Sequence, residues 1–157
     1  MEKIHMEQAY EKYSDVVFRT AYSLLKNISE AEDITSEIFI KYFTCGKEFE
    51  NEEHEKAWLI RITINRCKDL FRSFRIKNRI SMEEYKAYCE TSDETAVIEA
   101  VMSLPEKYRI VIHLFYFEGY STEEIGKIVG KRSNTVRTRL SRARTMLKEL
   151  LGEEFCI

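Results

Sequence analysis

Seven basic residues and no acidic one stand between Lys131 and Lys148: Lys131, Arg132, Arg137, Arg139, Arg142, Arg144 and Lys148. In the same stretch Val136, Leu140, Ala143 and Leu147 recur at +4, +3 and +4, which predicts a helix with one apolar stripe. Around the wheel from that stripe lie Asn134, Thr138, Ser141, Arg142 and Thr145, with Arg137 at the edge. Short hydroxyls, an amide and guanidinium forks are the groups that reach base edges in a major groove, while Lys and Arg also hold phosphates. A solvated charged face would normally mix in Glu for i,i+4 pairing, and this stretch has none. Recognition of DNA is therefore the chemistry these residues offer, against the plainer alternative of a solvated basic face.

The elements needed to position that face precede it. Ser121 and Glu124 form the S-x-x-E pattern of a capping box, in which each side chain satisfies a free N–H at a helix start. A short helix with Ile125 and Val129 inside follows, stopped by Gly130 where a positive φ is expected. Ser133 is placed to cap the second helix, and Gly126, lacking a side chain, lets the two helices cross closely. Two helices around a tight glycine turn match the helix-turn-helix, whose second helix enters the major groove. A single such motif is a weak signal.

A second constellation lies upstream. A helix of roughly Glu53–Arg75 is predicted from Ala57, Ile60, Ile64, Cys67, Phe71 and Phe74, stepping by three and four. Trp58, Arg61, Asn65, Arg66, Lys68 and Arg72 occupy its other faces, next to a polar loop over 44–55 broken at Gly46. Aromatic and basic groups together can stack on unpaired bases while tracking phosphates. Trp58 closing the core is the alternative, and this helix alone leaves the two open.

The rest of the chain sets the frame. Hydrophobic content of 44% with 33% charged residues describes a folded soluble protein and excludes global disorder. One proline, five glycines and no sustained strand alternation leave an all-α reading. The net charge of −2 hides segregation: residues 1–55 carry −7, 56–79 carry +7, 80–100 carry −5 and 131–148 carry +7. Two basic blocks around an acidic stretch point to two nucleic-acid contacts. Cys45, Cys67, Cys89 and Cys156 are singly spaced and suit reduced structural thiols, and His5, His54 and His113 are equally scattered. Neither a metal nor another cofactor is expected. Without a secretory signal or an apolar run of membrane-spanning length, the chain is expected in the cytoplasm.

Further elements complete two lobes. A first helix of about 6–27 should bury Tyr10, Tyr13, Val17, Ala21, Leu24 and Ile28. Ser29 and Glu32 form a second capping-box pattern, opening a helix to about Phe43 that buries Ile34, Ile38 and Tyr42. Asp33, Glu37 and Lys41 repeat at +4 on its other side, a solvated face or a docking surface. Residues 1–76 make the first domain, 77–93 an acidic linker and 94–157 the second domain. The second opens with a short helix of Val97, Val101 and Leu104. Pro105 then starts another, carrying Tyr108, Val111, Ile112 and Phe115 and ending at Gly119.

Taken in order, these blocks resemble the sigma-70 family of bacterial RNA polymerase sigma factors over almost the whole chain. AEDITSEIFIKYF is similar to the family's region 2.2, and KAWLIRITINRCKDLFR to regions 2.3 and 2.4. LPEKYRIVIHLFYFEGYSTEEIGKIVGKRSNTVRTRLSRAR is similar to region 4. With no inhibitory segment ahead of the first block and no region 3 domain, the resemblance is to the short extracytoplasmic-function (ECF) group. It implies a region 2 helical bundle and a region 4 helix-turn-helix joined by a flexible linker that threads near the polymerase active site. It implies docking of Asp33, Ser36, Glu37, Ile40 and Lys41 on the β′ clamp helices of core RNA polymerase, and contact of region 4 with the β flap. It assigns −35 recognition in promoter DNA to Arg132, Asn134, Arg137, Thr138, Ser141, Arg142 and Thr145. Melting and holding of the −10 element fall to Lys47, Trp58, Arg61, Asn65, Lys68 and Arg72. An anti-sigma factor is a further implied partner, through which the chain could be held at the membrane; a small-molecule substrate is not. Ser36 stands where the family commonly has Gln, and Gly126 where it has Ala, a change expected to preserve packing.

The expected function is promoter-specific initiation without catalytic activity of the chain's own. Two rivals remain at this point. A conventional helix-turn-helix regulator would bind duplex DNA without core polymerase, and a protein-interaction module would place its basic faces on an acidic protein.

Overall fold

In the computed structural model, described for residues 2–74 and 92–152, every regular element is helical. Among the described residues the order is α1 (Glu2–Leu25), α2 (Ile28–Thr44), α3 (Glu52–Phe74), α4 (Ser92–Ser103), α5 (Glu106–Ile112), α6 (Thr122–Val129) and α7 (Ser133–Leu151). A single π turn, His113–Phe117, continues α5. The helices group into two compact units, one within residues 1–78 and one within 79–157. Most of the expected linker, 77–93, lies outside the described residues, and α4 begins at its last two positions.

The first unit is a three-helix bundle whose core follows the sequence periodicity. Tyr13, Val17, Ala21 and Leu24 of α1, Ile34 and Ile38 of α2, and Ile60, Ile64 and Cys67 of α3 are all buried. Each helix also buries one threonine, Thr20, Thr35 and Thr63, whose hydroxyl donates to the carbonyl four residues back at 2.7–2.8 Å. Their polar groups are thus satisfied inside the core. Tyr10 departs from the expected stripe and is 48% exposed. His5, Met6 and Ala9 of α1 line an open groove with Tyr42, Phe43 and Lys47, so this end of the helix is not covered and Tyr10 meets Phe39 edge-on at 4.8 Å. Ile28 and Tyr42 are half-buried.

The link between α1 and α2 falls two residues earlier than expected. Lys26 takes a left-handed conformation at φ 55, and Asn27 then caps α2, its Oδ1 accepting from the Glu30 amide at 2.9 Å. Asn27 caps as well as a serine does and stands two residues earlier, so the Ser29–Glu32 pattern is swallowed by the helix.

One carboxylate joins all three helices. Glu55, in the first turn of α3, accepts from the Tyr13 hydroxyl of α1 at 2.8 Å and from the Tyr42 hydroxyl of α2. Burial and the Glu55 charge push both phenols well above their ordinary value of 10.

In the second unit α7 lies against α4, α5 and α6. Its stripe of Val136, Leu140, Ala143 and Leu147 is buried, as are Leu104, Val111, Leu114 and Ile125 facing the same core. The helix expected to run on through Phe115 instead widens after Ile112 into the π turn, where the Glu118 amide donates to the His113 carbonyl at 3.1 Å. The extra residue in the turn leaves Tyr116 and Phe117 exposed, and Gly119 ends it at φ 75. Arg109 is buried; its guanidinium donates to the Leu104 carbonyl, and burial brings its pKa down to about 10.

Glu55→Ala should cost the first unit about 1–3 kcal/mol by stranding two phenols, read by urea unfolding through Trp58, the chain's one tryptophan. The same readout should show an alkaline limit. Because the folded state holds both phenols neutral, their contribution is complete below pH 10 and is lost as pH rises through and beyond it. Replacing both tyrosines by Phe should flatten that loss.

Candidate nucleic-acid interface

The turn between α6 and α7 fixes where the basic helix points. The capping box at the start of α6 is complete: the Ser121 hydroxyl accepts from the Glu124 amide at 3.2 Å, and the Ser121 amide donates to the Glu124 carboxylate at 3.4 Å. At the other end Gly130 is left-handed, and its amide and that of Lys131 both donate to the Gly126 carbonyl. A Cβ on Gly126 would sit 2.6 Å from the Lys131 carbonyl oxygen. Gly126 therefore makes room for the turn's backbone, and not for a close crossing of the two helices. An alanine there does not preserve this packing.

α7 starts at Ser133, not after it. Arg132 occupies the N-cap with extended backbone (φ −70, ψ 149) and no side-chain cap, so Ser133 does not cap the helix. The uncapped first-turn amides lie beside Lys131 and Arg132, an arrangement suited to a phosphate oxygen.

All seven residues expected at the −35 element are exposed: Arg132, Asn134, Arg137, Thr138, Ser141, Arg142 and Thr145. Asn134, Thr138, Ser141, Arg142 and Thr145 lie on the side away from the buried stripe, with Arg137 at its edge and Arg132 at the N-cap. The Thr138 hydroxyl donates to the Asn134 carbonyl at 3.0 Å and that of Thr145 to the Ser141 carbonyl at 3.1 Å, so both present lone pairs outward. Arg142 hydrogen-bonds the Tyr108 hydroxyl, which it holds below its usual range. Arg144 belongs to a different surface. Its Nε donates to the Tyr116 hydroxyl at 2.7 Å, and its guanidinium lies 5.6 Å from the Phe115 ring centroid.

In the first unit the loop after α2 brings Lys47 and Trp58 together. The Lys47 ammonium lies 5.5 Å from the Trp58 centroid and 5.9 Å from that of Phe49. Phe49 packs on Trp58 at 5.3 Å and on Tyr42 at 6.1 Å. Trp58 is half-buried, with a cation beside its ring. Arg61, Asn65 and Arg72 are exposed and Lys68 half-exposed along the same side of α3. Sequence reasoning missed Phe49, Tyr42 and Glu55 as the frame of this cluster; an aromatic in a polar loop was the available signal.

The α2 surface is open too. Asp33, Ser36, Glu37, Ile40 and Lys41 are exposed, and Ile40, at 64%, is a large apolar side chain with nothing over it. Glu37 is not a free charge: Arg66 of α3 forks onto it, Nε at 2.7 Å and a terminal nitrogen at 3.4 Å. Asn65 lines the same groove as Glu37 and Lys41, so the expected −10 and polymerase surfaces adjoin along α3. Cys67 is in the core, while Cys45 is exposed at the end of α2; Cys89 and Cys156 lie outside the described residues.

Residues 9–75 match the family model of sigma-70 region 2, and residues 94–147 that of sigma-70 region 4. The RNA polymerase sigma factor SigV of Bacillus subtilis (strain 168) is 32% identical over 142 residues, covering 87% of this chain and 85% of SigV. The chain belongs to the ECF group of sigma-70 family RNA polymerase sigma factors. The ECF sigma factor SigE of Mycolicibacterium smegmatis is also 32% identical, over 94% of this chain, which spans 62% of SigE's length. Among solved structures, the sigma factor RpoE of Bartonella quintana, crystallised with the anti-sigma factor NepR, aligns with a TM-score of 0.74 at 25% identity. That alignment covers 92% of this sigma factor and 95% of RpoE.

Gly126→Ala separates two opposed effects. Alanine favours a helix over glycine by about 1 kcal/mol, but its methyl would meet backbone at 2.6 Å, which cannot swing away as a side chain can. The clash should dominate: the variant should have a lower melting temperature and weaker DNA binding, whereas propensity alone would raise the melting temperature.

Proposed function

We propose that this sigma factor docks on core RNA polymerase through the exposed face of α2 and directs it to a restricted set of promoters. α7 reads the −35 element as duplex, and the Lys47–Phe49–Trp58 cluster with the basic side of α3 holds the opened −10 element. The observation that carries this reading is the division of α7: one side packs into the second unit, and the other leaves Asn134, Arg137, Thr138, Ser141, Arg142 and Thr145 exposed, with Arg132 exposed at the N-cap.

The physical roles differ between the two units. On α7, guanidinium forks and hydroxyl oxygens pair with base edges, while Lys131 and the helix start hold phosphate. On α3 the ligand is a single strand. A base stacking on Trp58 is available only once it has left the duplex, so binding energy spent there shifts the closed–open equilibrium towards open. The chain supplies positioning and no bond chemistry; nucleotide addition belongs to the polymerase. Its working place is therefore the cytoplasm. Among the described residues no helix is long and apolar enough to cross a membrane. Region 4 meets the β flap, and an anti-sigma factor, the class of partner that holds RpoE, covers the free factor.

Asp33→Arg should lower affinity for core polymerase at least tenfold while leaving the fold intact, because Asp33 is exposed. Competition of variant and parent for a limiting amount of core enzyme measures this, and equal competition would reject α2 as the docking face. Arg142→Ala should weaken binding of the holoenzyme to its promoter by about 1–3 kcal/mol and relax preference at one base pair of the −35 element. Equal loss on every sequence would make Arg142 a phosphate contact.

A further inference from the structure

Glu123 is the acidic residue that α6 lays against the basic face of α7. Its Oε1 lies 2.8 Å from one terminal nitrogen of Arg137, and the other terminal nitrogen donates to Asn134 Oδ1 at 2.6 Å. The guanidinium is thereby held by two helices at once, its planar fork fixed while the side chain stays half exposed. Glu123 is itself anchored, its second oxygen accepting from the Thr122 hydroxyl at 3.2 Å. Its carboxyl lies below the usual range, drawn down first by its own backbone amide, then by Thr122 and Arg137.

An ion pair this exposed, 52% and 60% for the two side chains, contributes little to stability. A carboxylate beside a DNA-facing groove that also holds Lys127, Lys131 and Arg132 repels phosphate and opposes binding. Its presence there needs another reason. Lys127, one turn along α6, would be its ordinary i,i+4 partner, yet the carboxylate reaches across to α7.

We propose that Glu123 is a positioning residue for base readout: with Asn134 it holds the Arg137 fork towards a base edge and keeps that arginine from collapsing onto a phosphate. The proposal rests on the reading of α7 as the −35 reader. Preorganisation of this kind raises discrimination between sequences more than total affinity, since a free arginine would still bind any duplex.

The test uses holoenzyme assembled from core polymerase and the full chain, with a pool of duplexes randomised over the upstream element, at several salt concentrations. Glu123→Ala should reduce discrimination at one base pair about tenfold. Non-specific affinity should stay or rise, and the salt dependence should steepen by about one phosphate contact. In the Arg137→Ala background the same change should have no further effect on base preference. Glu123→Gln, which leaves the start of α6 least disturbed, should move in the same direction by less. Affinity rising equally on all sequences, with discrimination intact, would overturn the proposal and make Glu123 a repulsive charge only. If Arg137→Ala alone leaves base preference unchanged, Arg137 does not read the element, and the assignment beneath the proposal fails with it.

Discussion

The seating of α7 in its unit is the constraint on which DNA recognition depends. Val136, Leu140, Ala143 and Leu147 are almost without exposure, so the helix cannot rotate by even one residue without moving a leucine into water and an arginine into the core. The turn before it fixes the remaining freedom. Gly130 reverses the chain in a left-handed conformation, and Gly126 leaves the space into which the Lys131 carbonyl fits. Given both, the polar face has one possible direction. Arg144 then meets Tyr116 on the π turn, while Arg137 and Arg142 are steadied by Glu123 and Tyr108.

The first unit has a different problem under the proposed function, since there its ligand is a single strand. Lys47 and Phe49 come from a loop and gather against Trp58 of α3, and a loop alone would hold them loosely. Glu55 supplies the rigidity, binding a tyrosine from each of the other two helices at the point where α3 begins. Nearly two turns of α3 beyond Glu55, Arg61 continues the basic side towards Asn65 and Lys68. Arg66, on the neighbouring side of the same helix, forks onto Glu37 of α2. α3 thus braces α2 with one side and carries the basic groups on another, so both candidate surfaces are set by one helix.

Periodicity made the helices, their buried sides and both candidate surfaces legible before any coordinates. The stripe of α7, the capping box at Ser121 and the left-handed Gly130 all stand where their residue types place them. Helix starts were less legible: Asn27 caps α2 ahead of Ser29, and α7 begins without a side-chain cap, Arg132 standing where Ser133 was expected. Pairing across the chain was not legible at all. Nothing in the spacing announces that Glu55 will meet Tyr13 forty-two residues away, or that Glu37 will be taken by Arg66. A wheel shows which side of a helix is polar, but not which neighbour will satisfy it. The π turn was equally hidden, because an extra residue in one turn leaves the apolar pattern of HLFYF unchanged while altering which aromatics reach solvent.

Transcription of a genomic DNA library by core polymerase with and without this chain, followed by sequencing of transcript 5′ ends, tests the account most directly. Start sites that appear only with the chain, and that share a two-part upstream motif spaced for a −35 and a −10 contact, are the predicted result. Salt-sensitive duplex binding by the chain alone, with no new start sites, would contradict it and make this a DNA-binding protein that does not redirect the polymerase.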